Sequence, residues 1–141
     1  SIKRIASKPK GYFADTGFVC HLMRITSPKT LEGHPLTGPL FETAVMAEIR
    51  KLQGVLTRKA SLYHWRAHSG SEVDLVLERD GRLYPLEIKL KSRPNRGDAR
   101  GLHAMREHYP KQDFAPGLIL SPALESERVR EHMYVIPWNL M

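Results

Sequence analysis

The chain has a single cysteine, Cys20, which excludes an internal disulfide. It has no apolar run long enough to cross a membrane, and its basic opening, SIKRIASKPK, is not followed by the apolar segment of a signal peptide. We therefore expect a soluble, cytoplasmic protein. Because the first residue is Ser1 rather than methionine, we also expect it to be part of a longer polypeptide.

Several catalytic and metal-binding motifs are also missing. The seven histidines show no zinc-ligand spacing, and one cysteine cannot supply the remaining ligands. No GxSxG elbow of a serine hydrolase is present. The sequence also lacks a GxxxxGKS/T loop, so it contains no P-loop ATPase module.

The composition is that of a basic globular domain. The 141 residues are enough for one domain with one hydrophobic core, and 41% of them are hydrophobic. The formal net charge of +7 favours a polyanionic partner, either nucleic acid or an anionic membrane surface. Charge alone does not distinguish these two partners.

Hydrophobic periodicity and turn residues predict an α/β domain with a mixed sheet. In the first half we expect a short helix capped by Asp15, a loop over residues 26–38, a long helix over residues 39–52 and a strand over residues 61–68.

The second half of the chain continues this α/β pattern. A helix capped by Asp98 is predicted, followed by a buried strand at residues 118–120. The segment ESERVREHM, residues 125–133, is predicted to be a short surface helix, and YVIPW a final strand.

Between these halves, EVDLVLERDGRLYPLEIKLK predicts a β-hairpin whose two-residue type I′ turn is Asp80 and Gly81. The register of that turn places Asp74 opposite Glu87. Because opposed like charges destabilise a sheet, a positive group is expected between them. A divalent cation is one candidate, and the side chain of Lys89 is another.

The same register makes two further predictions. It pairs Lys89 with Glu72, which leaves an ordinary cross-strand ion pair as an alternative role for this lysine. It also places Val73 and Leu75 on one apolar face with Ile88, opposite the acids.

A basic stretch, KSRPNRGDARG, follows the hairpin and could hold a phosphate backbone beside a bound metal. Arginine on the strand before the hairpin could also contact phosphate, although an ordinary exposed residue is the simpler interpretation. The candidate nucleic-acid contacts are Lys91, Arg93, Arg96, Arg100 and Arg66.

These acids resemble a known pattern. Glu42 on a helix, Asp74 on a strand, and EIK from Glu87 to Lys89 on the next antiparallel strand resemble the PD-(D/E)XK pattern of the restriction-endonuclease-like superfamily. More closely, YFADTG, HPLTGPLFE, WRAHSGSEVDLVLE, PLEIK and VIPW resemble the domain of unknown function at the C-terminus of many prokaryotic AAA-type ATPases. This likeness covers nearly the whole chain.

The resemblance implies a restriction-endonuclease-like mixed β-sheet flanked by helices. Residues 1–35 would be an extended segment, short helix and loop at the tail of a preceding winged-helix and ATPase region. Residues 36–141 would be the nuclease-like domain. The expected partners are DNA and the N-terminal ATPase module, with ATP bound only by that absent module.

For the site, the resemblance implies a Mg²⁺ or Mn²⁺ ion. In active nucleases of the superfamily the strand carboxylates, an intervening carbonyl and often a helix glutamate bind the metal; these roles map onto Asp74, Glu87, Ile88 and Glu42. The lysine role maps onto Lys89, which would orient or deprotonate the attacking water. If active, the domain would be a metal-dependent endonuclease.

Alternatives stay open at this point. Glu42 is also explained by the helix dipole, and Asp74 and Glu87 by a solvated hairpin face that Lys89 neutralises. Val73 stands where the superfamily pattern has proline. Three functions are therefore considered: a metal-dependent DNA nuclease, a catalytically silent DNA-binding domain, and a module that docks onto and regulates the ATPase.

Overall fold

A computed structural model describes residues 10–140. Its helices are α1 (Thr16–Leu22), α2 (Pro28–Leu31), α3 (Thr37–Val55) and α4 (Arg100–His108). Its strands are β1 (Ser61–Arg66), β2 (Glu72–Arg79), β3 (Arg82–Ile88), β4 (Gly117–Ser121), β5 (Glu127–Arg130) and β6 (Met133–Pro137). A short 3₁₀ helix, Trp138–Leu140, follows the last strand. Predictions made for residues 1–9 lie outside the described residues.

The strands form one six-stranded sheet in the order β1-β2-β3-β4-β6-β5. The first three strands are an antiparallel meander, and α4 then connects β3 to the parallel strand β4. Strand β6 is parallel to β4, and β5 is antiparallel to β6 at the edge. The predicted α/β domain with a mixed sheet flanked by helices is confirmed.

The sheet divides the core into two clusters. One cluster packs α4 against the sheet through Leu102 and Met105. The other packs α3 against the sheet through Val45, Met46 and Ile49. Residues on β2 and β3 contribute to both clusters, so this hairpin is held from both sides. Burial on both sides fixes the positions of side chains at its end.

The predicted hairpin turn is confirmed. Asp80 and Gly81 have φ angles of 54° and 81°, the left-handed values that a type I′ turn requires at both positions. The register runs from the Arg79–Arg82 pair to the Leu75–Leu86 pair. Asp74 and Glu87 come directly after that last pair.

Strand β2 contains a β-bulge that the sequence did not reveal. Tyr63 of β1 pairs with Val76, but Trp65 pairs with Val73. An advance of two residues along β1 therefore corresponds to three residues along β2, which has one extra residue here. The extra residue reverses the side-chain alternation. Val73 therefore packs with the α4 cluster while Leu75 packs with the α3 cluster. The prediction that they share one face was wrong.

Three local predictions also need correction. The segment of residues 26–38 contains α2, whose N-terminus is capped by the side chain of Ser27. Asp98 does not cap α4; it accepts hydrogen bonds from Lys91 and from the Asn95 N–H. The predicted surface helix over residues 125–133 is instead β5 and the turn into β6, because pairing with β6 outweighs local helix propensity.

The prediction of a capped first helix was correct, since the Asp15 side chain accepts the Phe18 N–H at 3.0 Å. Among residues 10–140, no helix is both long and apolar enough to span a bilayer.

Candidate functional site

The side chain of Asp74 is the most firmly held group of the site. It is 5% exposed and lies in the bulged part of β2. Its Oδ2 accepts the backbone N–H of Ile88 at 2.9 Å, and its Oδ1 lies 2.9 Å from Lys10 Nζ. Both oxygens are therefore engaged, one by the neighbouring strand and one by a positive charge.

Lys10 also contacts Glu42, so that one ammonium group bridges two acids. Its Nζ lies 2.5 Å from Glu42 Oε1, and the Tyr12 hydroxyl donates to the same oxygen at 2.6 Å. Tyr12 itself packs against the α3 cluster. This packing ties the segment that carries Lys10 to the sheet and to α3.

These contacts keep the bridging groups in defined protonation states. Burial opposes the charge on Lys10, but the bonds to Glu42 and Asp74 outweigh it and raise the lysine pKa. Burial, together with Glu42, raises the pKa of Tyr12. At neutral pH the lysine is therefore an ammonium and the tyrosine a neutral donor.

Glu87, near the end of β3, is also buried, but unlike Asp74 it has only one carboxylate oxygen engaged. It is 4% exposed, and its Oε1 lies 2.6 Å from Lys89 Nζ. Its Oε2 is buried and has no hydrogen-bond partner in the described part of the chain. Burial and the nearby Asp74 raise the pKa of Glu87 to about 7, although Lys89 acts against the shift. The carboxyl group therefore changes its protonation state near neutral pH.

Two lysines supply positive charge beside the acids. Lys89, just after β3, neutralises Glu87. Among the described residues it forms no ion pair with Glu72, whose Oε2 instead lies 3.9 Å from His64 Nε2, so that prediction was wrong. Lys10 was missed, because no pattern in the sequence links it to Asp74, which lies 64 residues away.

Asp74 lies near both other predicted acids. It shares Lys10 with Glu42, and, together with burial, its charge raises the pKa of Glu87. Ile88 is buried, and its N–H rather than its carbonyl is seen to contact an acid. Within residues 10–140, no set of three or more His, Cys, Asp or Glu side chains is arranged to hold a metal ion. The ammonium of Lys10 lies between Asp74 and Glu42.

The basic stretch lies close to this site. Lys91 pairs with Asp98 at 2.7 Å, and this pairing lowers the pKa of Asp98 although burial opposes the shift. Burial opposes the charge on Lys89, but the bond to Glu87 raises its pKa. The charges of Asp74 and Asp98 act in the same direction, so the loop lies near the acids. The predicted phosphate contacts are all exposed, namely Lys91, Arg93, Arg96, Arg100 and Arg66.

Comparison with known proteins places the chain among uncharacterized relatives. It is 36% identical over 93 residues to an uncharacterized protein of Mycobacterium bovis and equally to one of Mycobacterium tuberculosis. The match covers 66% of this chain but 20% of each relative, so the chain spans about a fifth of their length. No solved structure matches. The family model of the domain of unknown function DUF4143 matches residues 37–141, and the chain belongs to that family.

Proposed function

We propose that this domain is a nuclease-like module that binds DNA and cleaves phosphodiester bonds with Mg²⁺ or Mn²⁺. In this proposal it has a restriction-endonuclease-like fold and forms the C-terminal part of a AAA-type ATPase, whose N-terminal module binds ATP. The observation that carries the proposal is the pair of buried carboxylates, Asp74 and Glu87, beside a third acid, Glu42, with a positive charge among them.

The donor set suits a hard divalent cation, which prefers carboxylate oxygens. Asp74 Oδ1 and Glu42 Oε1 already converge on one positive charge, that of Lys10. Glu87 Oε2 is a buried oxygen without a partner among the described residues. If Lys10 moves away, the oxygens of Asp74 and Glu42 become free for a metal. Glu87 would have to turn towards them, because no three such side chains within residues 10–140 are already arranged to hold an ion. The carbonyl of Ile88 would complete the set that the family resemblance implies.

A bound cation would activate water and neutralise charge on the scissile phosphate. The protein's own groups have supporting roles in this proposal. The Ile88 N–H fixes the orientation of Asp74, and Lys89 holds the carboxylate of Glu87 at 2.6 Å. Lys89 is 39% exposed, so its ammonium could also orient a water molecule beside that carboxylate.

DNA binding is proposed for the exposed basic stretch after β3. Its side chains are accessible, and, against the effect of burial, the charge of Asp98 within the stretch helps to raise the pKa of Lys89, so the stretch lies near the site. Charged side chains of this kind bind phosphate groups without reading base sequence. Arg66 would extend the contact across the edge of the sheet.

One observation favours a second candidate function. Lys10 already neutralises Asp74 and Glu42, so the site is stable without a metal. The domain could then be catalytically silent and serve for DNA binding, or for docking to and regulation of the ATPase module.

Cleavage of supercoiled plasmid in Mn²⁺ distinguishes these functions, using both this domain and the full-length protein. The variants are Asp74→Asn and, as a control of matched chemistry, Asp113→Asn, an exposed acid that pairs with Arg82. Cleavage that is lost in Asp74→Asn and retained in Asp113→Asn supports the nuclease. Equal cleavage by both variants contradicts it, and DNA binding without cleavage supports the silent domain.

A further inference from the structure

A cleft of about 780 Å³ opens beside the acidic site. Its walls come from residues 10–14, from α3 and from β1, and Asp74 also lines it. A cavity of this size can hold a ligand as large as a nucleotide.

The walls carry several positive charges and a single acid. Lys10, Arg50 and Lys51 line the cleft, and the single acid among the lining residues is Asp74, which Lys10 already neutralises. Lys51 pairs with Glu48 at 2.6 Å on the surface. Arg50 is exposed and forms no ion pair within the described residues, so its charge is available to a ligand.

The walls also carry exposed aromatic rings. Phe13 is 60% exposed and Tyr63 is 42% exposed, although apolar rings are normally buried. His64 lines the same cleft, but its Nε2 is buried, 3.9 Å from Glu72 Oε2. Exposed rings beside positive charges leave stacking positions open to a ligand.

We propose that this cleft binds single-stranded DNA, with bases stacked on Phe13 and Tyr63 and phosphates held by Arg50. Aromatic platforms beside basic side chains are the usual means of binding single strands. A duplex hides the faces of its bases within the stack, so it cannot use the rings. The inference rests on the proposed function, because it names single-stranded DNA as the substrate of the same site. A strand bound in this way would pass Asp74.

Two pairs of matched variants test the cleft. Phe13→Ala is compared with Phe18→Ala, because Phe18 is 55% exposed and is not among the lining residues. Arg50→Ala is compared with Arg58→Ala, which removes the same charge from a residue that pairs with Asp80 near the hairpin turn. All four side chains are exposed, so the variants are expected to fold, and thermal melting checks this.

The measurement is fluorescence anisotropy with a labelled single-stranded oligonucleotide of roughly 12 nucleotides, without metal and in EDTA. Phe13→Ala should weaken binding by at least about fivefold, the loss expected for one stacked base, whereas Phe18→Ala should not. Arg50→Ala should lower the slope of log Kd against log salt by about 0.7, and Arg58→Ala should leave it unchanged.

Three results would overturn the proposal. They are no binding by the wild type at low salt, equal effects within each matched pair, and duplex binding as tight as single-strand binding. Because the assay contains no metal, it does not depend on the nuclease chemistry. A domain that fails to bind Mn²⁺ but shows the expected differences between paired variants would contradict the proposed nuclease and support the cleft.

Discussion

Lys10 Nζ lies 2.9 Å from Asp74 Oδ1, although 64 residues separate the two in the chain. The same ammonium contacts Glu42. The lysine therefore neutralises two of the three acids proposed to bind metal. A divalent cation that uses those oxygens must displace it, so lysine and metal compete for one position.

Lys10 is proposed to compete with a metal ion and also to stabilise the domain when no metal is bound. Replacing it should separate these two effects. In Lys10→Met, Mn²⁺ affinity measured by calorimetry should increase at least about tenfold, because the competing charge is gone. Without metal, the variant should lose about 2 kcal/mol in the free energy of unfolding, since a buried carboxylate loses its partner.

The control for this variant is Lys51→Met, which removes an exposed pair with Glu48. Exposed pairs of this kind contribute about 0–1 kcal/mol, so urea unfolding should show little change. Unchanged or weaker Mn²⁺ binding in Lys10→Met would show that the lysine does not compete with a metal.

Glu87 should make stability depend on pH. Its pKa in the folded protein is about 7, above its ordinary value of 4.5, so the folded state binds this proton more tightly than the unfolded state. Its contribution is fully present below the ordinary pKa and is lost as the pH rises through 7. Glu87→Gln cannot ionise and should avoid this loss.

Thermal melting from about pH 5 to about pH 8 checks this prediction. Relative to wild type, Glu87→Gln should gain up to about 2–3 kcal/mol over that range. The exposed Glu125→Gln serves as the control and should follow the wild type. A constant difference between Glu87→Gln and wild type at all pH values would contradict the raised pKa.

Gly101 connects α4 to the hairpin at a close approach. A Cβ at this position would overlap the backbone carbonyl oxygen of Glu72, which cannot move without shifting β2. Gly101→Ala should therefore destabilise the domain by about 3 kcal/mol. A Cβ at Gly54 in α3 would have no neighbouring heavy atom within 4 Å, so Gly54→Ala should stabilise the domain by about 0.5 kcal/mol. Equal effects in urea unfolding would show that the close approach is absent.

The sequence predicted those parts of the fold that depend on neighbouring residues. Asp80 and Gly81 specify their turn locally, and the apolar spacing in α3 needs no knowledge of the rest of the chain. The hairpin that carries Asp74 and Glu87 could be placed for that reason. Its acids and the Lys89 beside them were correctly brought together.

The missed features depend on distant partners. The bulge in β2 is visible only from its pairing with β1, and β5 forms because β6 lies beside it. Lys10 reaches Asp74 because Tyr12 packs on the α3 cluster and places the segment there. Local patterns in the sequence carry no information about such contacts.

Calorimetric titration of Mn²⁺ at about pH 8, above the pKa of Glu87, tests the central claim most directly. The wild type should bind the ion, Lys10→Met should bind it more tightly, Asp74→Asn should lose binding, and the exposed Asp113→Asn should retain it. Absence of binding in both the wild type and Lys10→Met, or equal binding in Asp74→Asn, would show that these acids do not form a metal site.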